Sequence, residues 1–335
     1  MNTSSDILVL SATDVKAILK DQELAVIDIV RQAYEKHARG QLVLPHSVFV
    51  RMPGANGDRG IALPALLNGS PPILGMKWIT SFPANIHRGL ERASAVIVLN
   101  DPNTGRPSAI LEGAAISAAR TAASAVLAYS VLSDEASTTD CGIIGCGRIN
   151  FEIVRYLRSF RPDIVSLSLF DIDFQRATAF RTRCEETWPD CRINACQNIN
   201  QLLNRTRLVS FATTASAPHV FSLKGCPQRS VILHISLRDL APEVILSCDN
   251  VVDDRDHVCR ENTSVHLAET LSGLRDFISC TLGDILLHGT AIDRCTGRPL
   301  VFSPFGLGVL DLAVATFVLD KAVTAGGGTV LRSFF

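Results

Sequence analysis

The stretch CGIIGCGRIN, residues 141–150, sets two glycines, Gly145 and Gly147, where a short apolar run hands over to a segment of helical spacing. That order is what a phosphate cradle needs. Gly145 permits a tight turn, and Gly147 lets the backbone approach a pyrophosphate. Arg148 and Ile149 then open a helix whose positive dipole end faces the anion. The next β-rich run, IVSLSLF, ends in Asp171, about where a carboxylate accepts hydrogen bonds from a ribose 2′-hydroxyl. Such a carboxylate repels a 2′-phosphate, so the implied cofactor is NAD. Arg148 and Arg176 are the cations through which NADP stays open. One position departs from the fingerprint: Asn150 stands where Gly or Ala usually allows close helix–strand packing.

A second set of residues suits a small anionic substrate, because Arg grips carboxylates bidentately and Lys acts as a point charge. Lys77 interrupts the apolar run ILGMKWITSF, where a charge is costly without a partner. Arg120 falls at the start of an Ala-rich helix expected over 118–132. A cation there gains nothing from the helix dipole, so another group must stabilise it. Arg51 and Arg59 flank strand-like runs and are further candidates, each open to a plain reading as a surface or internally paired charge.

These residues need elements to hold them. The runs 60–68, 73–82 and 94–101, followed by the turn-rich NDPNTGRP and by SAILEG, predict a largely antiparallel sheet after an opening helix around 22–38. From residue 138 strands and helices alternate, which predicts a doubly wound parallel sheet with right-handed crossovers. Thr213 and Thr214 follow the strand candidate RLVSFA, and Ser236 ends SVILHIS. Both sites lie at carboxyl ends of parallel strands, where ligands bind in such sheets. His234 lies inside the same apolar strand and reads as a satisfied core histidine rather than a proton carrier. The run 307–323 is a helix that periodicity alone assigns to neither domain.

Composition excludes several classes. The chain has 335 residues, enough for two domains, and its 32 Lys+Arg balance 33 Asp+Glu with no basic run, which removes the driving force for nucleic-acid binding. The opening MNTSSDILVL lacks a signal-peptide pattern and no apolar run approaches a membrane span, so a soluble, cytoplasmic protein is expected. Ten cysteines are scattered without a C-x-x-C pair, which predicts reduced, mostly buried thiols and no metal site.

Taken together, GMKWIT, the block SAVIVLNDPNTGRPSAILEGAAISAARTAASA, the GCG loop, Asp171 and the tail SPFGLGVLDLA resemble the ornithine cyclodeaminase/mu-crystallin family over most of the chain. Within it, MKWI, ERASAVIVLNDP and ISLRD are most similar to the branch that makes 2,3-diaminopropionate for siderophores. The resemblance implies an α/β fold in which a Rossmann NAD-binding domain, 119–307, is inserted in a mixed α+β substrate-binding and dimerisation domain, 1–118 with 308–335. It implies a homodimer, and it puts Arg51, Lys77 and Arg120 on the substrate's carboxylates and carbonyl or imine oxygen. It makes Asp239 the catalytic acid, although SLRDLAPEV departs from the cyclodeaminase spacing, and it sets Asp311 near the nicotinamide. The implied reaction is NAD-dependent oxidation of N-(2-amino-2-carboxyethyl)-L-glutamate, whose imine is hydrolysed to 2-oxoglutarate and 2,3-diaminopropionate. Lys77 would take the amine proton or bind a carboxylate, and Asp239 would handle the hydrolytic water. The competing readings are an ornithine cyclodeaminase, an alanine or ketimine dehydrogenase-reductase, and a non-catalytic small-ligand or dinucleotide binder.

Overall fold

The computed structural model describes residues 5–53, 57–133, 138–292 and 296–335. The chain begins with β1 (Ile7–Leu10), α1 (Ala12–Leu19) and α2 (Glu23–Ala38), then β2 (Leu42–Val43), β3 (Val48–Arg51), β4 (Arg59–Leu67), β5 (Ile73–Ser81), β6 (Ala93–Asn100), β7 (Pro107–Glu112) and α3 (Gly113–Leu132). A reciprocal capping box, with Ser11 and Asp14 each bonding the other's backbone N–H, starts α1, an element the sequence reading passed over. Next come β8 (Asp140–Ile144), α4 (Arg148–Phe160), β9 (Ser166–Phe170), α5 (Phe174–Thr187), β10 (Arg192–Ala195), α6 (Ile199–Leu203), β11 (Leu208–Phe211) and β12 (Val231–His234). There follow α7 (Pro242–Leu246), β13 (Asp249–Val252), α8 (Arg255–Val258), α9 (Ser264–Ser272), β14 (Ile278–Thr281), α10 (Leu282–His288), β15 (Leu300–Ser303), α11 (Gly308–Ala325) and β16 (Thr329–Leu331).

The chain divides into two compact units, Met1–Arg120 with Leu307–Phe335, and Thr121–Gly306. In the first, the sheet order is β16-β1-β7-β6-β5-β4-β2, with β3 also pairing β4. Among the described residues only β1–β7 is parallel; the long β4–β5–β6–β7 run is the expected antiparallel meander. On one face Leu63, Lys77, Ile97 and Leu111 stand opposite one another and are buried, and α11 packs on that side against β4, β5 and α2. Gly75 is required here: a Cβ would lie 2.3 Å from the Val98 carbonyl oxygen and 3.2 Å from Leu312. The other face, with Trp78, Val96, Val98 and Ile110, is only half-buried.

The helix expected over 118–132 starts five residues earlier. The Glu112 carboxylate accepts from the Ala114 and Ala115 amides at 2.7 and 3.0 Å, capping the first turn from Gly113. Arg120 therefore sits within α3, about two turns past its start, and not at its N-terminus. This helix is long and apolar enough to cross a membrane, but 78% of its most apolar window is buried inside the protein.

The second unit holds an all-parallel sheet, order β10-β9-β8-β11-β12-β15-β13-β14. The chain winds outward from β8 in one direction through β9 and β10, then returns to the other side of β8 at β11. That reversal is the doubly wound pattern, and it opens a crevice at the carboxyl ends of β8 and β11. Of the nine described cysteines all are free and seven are buried.

Candidate active site and dinucleotide loop

In the first unit, β5 carries Lys77 into the helix-covered interior, where it is 2% exposed. Its Nζ donates to Asp311 Oδ2 at 2.6 Å and to Ser117 Oγ at 3.1 Å. Arg120 donates from Nε to the other oxygen of Asp311 at 3.1 Å and from Nη2 to Ser117 at 3.3 Å. The partner that both cations needed is thus Asp311, on the last long helix. Asp311, expected near the nicotinamide, is 0% exposed, with one oxygen on each cation. Burial alone would raise its carboxyl, but Arg120 and Lys77 outweigh that and hold it below the usual range. Burial lowers Lys77 to about 8; Asp311 opposes the shift and Arg120 adds to it. A lysine so placed exchanges protons near neutral pH.

Arg51 is not gathered into this cluster. It ends β3 exposed, its guanidinium 5.4 Å from the Phe49 ring centroid. Register sets it opposite Arg59, which faces Ser81, so Arg51 shares a sheet face with Lys77 from two strands away.

In the second unit, Gly145 has φ +89°, and a Cβ there would meet the Ala212 carbonyl oxygen at 2.6 Å. Side chains other than glycine are therefore excluded by both strain and space. Gly147 is the N-cap of α4 with no side-chain cap, so the first-turn N–H groups, those of Arg148 and Ile149 among them, are left for an anion. A Cβ on Gly147 would meet only the Arg176 guanidinium, 3.8 Å away. The unexpected Asn150 is fully buried, and its amide ties the loop down: Nδ2 donates to the Ile144 and Gly145 carbonyls at 2.9 and 2.7 Å, and Oδ1 accepts from Ser210 at 2.7 Å. Hydrogen bonds here replace the close packing that a smaller residue gives. Asp171 accepts from the Cys146 amide at 2.7 Å and the Asp173 amide at 3.0 Å, which fixes its carboxylate beside the glycine loop. The Cys146 thiol is pushed up to about 12 by burial and by Asp171, so it stays protonated.

Asp239, expected as the catalytic acid, follows β12. It is 0% exposed and accepts from Thr213 Oγ1, Ser236 Oγ and His219 Nε2, the last at 3.0 Å. Burial would raise its carboxyl, but the hydrogen bonds of His219, the imidazole of His234 and the hydroxyl of Ser236 outweigh it and hold the pKa far below the usual range. A carboxylate so stabilised is a poor base. The hydroxyls of Thr213 and Ser236, expected on the cofactor, are turned to this carboxylate, while Thr214 is exposed. His234 is fully buried and satisfied as expected: Nε2 accepts from the Asp239 amide at 3.1 Å and Nδ1 pairs with Ser303 Oγ at 3.0 Å. His219, which no spacing in the sequence singled out, is the exposed member of the group.

The model of the ornithine cyclodeaminase/mu-crystallin family matches residues 6–326. The chain belongs to this family. It is 27% identical to N-((2S)-2-amino-2-carboxyethyl)-L-glutamate dehydrogenase of Staphylococcus aureus over 98% of the chain and 99% of that protein. The fold superposes on the Thermococcus litoralis Δ1-pyrroline-2-carboxylate reductase, solved with NADH and L-proline, at a TM-score of 0.88 and 24% identity, covering 96% of this chain and 99% of that one. An archaeal alanine dehydrogenase dimer with bound NAD gives 0.86 and 23%, over 98% and 100%. Family members with one architecture thus carry different substrates.

Proposed function

We propose that this chain is an NAD-dependent oxidoreductase acting on an amino-acid CH–NH bond. The observation that carries the reading is Lys77: a buried amine lowered to about 8 and locked by Asp311 and Ser117. Two of its hydrogens have fixed acceptors, so the third position of the neutral amine is a lone pair, able to take the proton of a substrate amine. Arg120, its guanidinium oriented by the same two partners, is suited to hold a substrate carboxylate. Arg51 and Arg59 extend positive charge along the same sheet face, which favours a substrate with more than one carboxylate.

The dinucleotide loop fits NAD: an uncapped helix start at Gly147, an obligatory glycine at Gly145 and a carboxylate held beside them at Asp171. The bound nicotinamide would supply the hydride acceptor; the chain supplies binding, orientation and proton transfer. The unit formed by both chain ends would bind substrate and the continuous unit the dinucleotide. Within this class the preferred substrate is N-(2-amino-2-carboxyethyl)-L-glutamate, the substrate that the Staphylococcus aureus relative's name gives. A homodimer is part of the same proposal. Its support is the apolar sheet face on which Val48 is exposed and Met76, Trp78, Val96, Val98 and Ile110 are half-buried, together with the alanine dehydrogenase dimer of like fold.

The deciding assay follows NADH absorbance with NAD⁺ and, separately, N-(2-amino-2-carboxyethyl)-L-glutamate, L-alanine and L-ornithine. NADH with the first alone, accompanied by 2-oxoglutarate and 2,3-diaminopropionate, is expected. NADH with alanine alone moves the chain to the alanine dehydrogenases. Proline from ornithine without net NADH moves it to the cyclodeaminases, and silence throughout refutes the enzyme.

A further inference from the structure

We propose that Arg92, anchored on Ser81 and joined by Arg59 and Arg51, seats a second carboxylate of the substrate, one that two methylenes separate from the reacting carbon. The inference rests on the dehydrogenase reading above and uses residues of the first unit alone. Arg92 stands one residue before β6, and its Nη1 donates at 3.0 Å to the Oγ of Ser81, which is buried. Its carbonyl accepts from the Phe82 amide at 2.8 Å, so backbone and guanidinium are both fixed to the end of β5.

Register places this serine on the face that carries Lys77. Lys77 lies in a row with Leu63 and Ile97; the next row holds Ile61, Ile79 and Ala95, and the third holds Arg51, Arg59, Ser81 and Ala93. Alternate residues of a strand share a face, so the three rows belong together. The helix α11 starts over the first of them and runs away from the third. A Cβ on its first residue, Gly308, would lie 2.9 Å from the Leu63 carbonyl oxygen, while Leu312, a turn further on, stands beside Gly75. Ile61 and Ile79 lie on the other side of that helix start and stay half-buried.

The face therefore reads as a cation, an apolar strip and a second group of cations. Ser81 follows Lys77 on β5 at a separation of about 13 Å, a span that the long side chains of Lys77 and the arginines can largely close. A glutamate moiety fits this order: its amine at Lys77, its methylenes over Ile61 and Ile79, its side-chain carboxylate on the arginines. The arginine row also has a reason to take an anion. Arg51 stands directly opposite Arg59, like charges so placed weaken a ladder, and a bound carboxylate offsets their repulsion. Arginine keeps its charge at every working pH and presents a fork that matches a carboxylate.

Two keto acids that differ only in the distal carboxylate, 2-oxoglutarate and 2-oxobutyrate, test the seat by calorimetric titration in the presence of NAD⁺. The wild type should prefer 2-oxoglutarate by about 100-fold, and Arg92→Met, which keeps the length and removes the charge, by less than about threefold. Arg92→Lys should recover part of the preference. Ser81→Ala leaves every charge in place and releases the guanidinium, which should cost about tenfold of the preference. In turnover, Arg92→Met should raise KM for N-(2-amino-2-carboxyethyl)-L-glutamate and leave kcat within about threefold. Equal binding of the two keto acids by the wild type, or a wild-type preference retained by Arg92→Met, would overturn the seat. The titration involves no redox step, so it stands apart from the parent reading: absent NADH formation by the wild type refutes the dehydrogenase, and the keto-acid preference still decides the role of Arg92.

Discussion

Replacing Lys77 with Met tests the electrostatics on which the proposed proton transfer depends. In the folded chain Lys77 is lowered to about 8 from 10.5, chiefly by burial, so the difference is about 2.5 pKa units. At about 1.4 kcal/mol per unit, holding the charged amine in the fold costs roughly 3 kcal/mol. Between pH 8 and 10.5 the unfolded chain binds more protons than the folded one, and stability from this group therefore rises with pH across that window. Lys77→Met lacks the titration, while every other group is shared with the wild type. Urea unfolding at pH 7 and pH 10 should show the wild type gaining about 2–3 kcal/mol on the variant at the higher pH. A gap that stays constant would refute a lowered amine at this position. In catalysis the same group predicts that amine oxidation rises about tenfold per pH unit toward pH 8 and then levels.

Three other outcomes follow from the geometry. Arg120→Ala should raise the Michaelis constant for the amino acid or abolish turnover while NADH affinity, read by fluorescence, stays near wild type; equal loss of both would show a folding defect. Asp171→Ala frees the Cys146 amide and should weaken NADH while relaxing the preference over NADPH in titration; an unchanged preference would refute the ribose assignment. Val98→Arg puts a charge on the half-buried sheet face and should convert a dimer to monomer in analytical ultracentrifugation, and an unaltered assembly would mean the face serves another purpose.

Much of the fold could be read from local pattern. The meander strands and the alternation after residue 138 were legible because each element carries its own period and its own turn residues. What escaped was contact across sequence. Lys77 announced a missing partner, but nothing local pointed 234 residues on to Asp311. Arg120 was misplaced for a local reason: a Gly-Ala-Ala opening hides a helix start that a preceding Glu caps with its side chain. Asn150 read as a loosened fingerprint because sequence shows its size and not its hydrogen bonds. Asp239 stood out as a carboxylate near the right strand, yet three side-chain donors spread over 24 residues surround it. His219, 20 residues before it, is one of these donors and fits no motif.

The split of the first unit across both chain ends has a consequence for biosynthesis. The continuous unit, Thr121–Gly306, emerges whole from the ribosome before α11 and β16 are made. At about 5–20 residues per second, Lys77 waits roughly 10–50 s for the residue that neutralises it. During that interval the meander lacks the helix that covers its buried face, and the nascent sheet displays apolar surface with a lone cation at its centre. A transcript truncated before residue 308 would therefore yield the continuous unit tethered to an unfinished sheet, a natural client for chaperones or proteases.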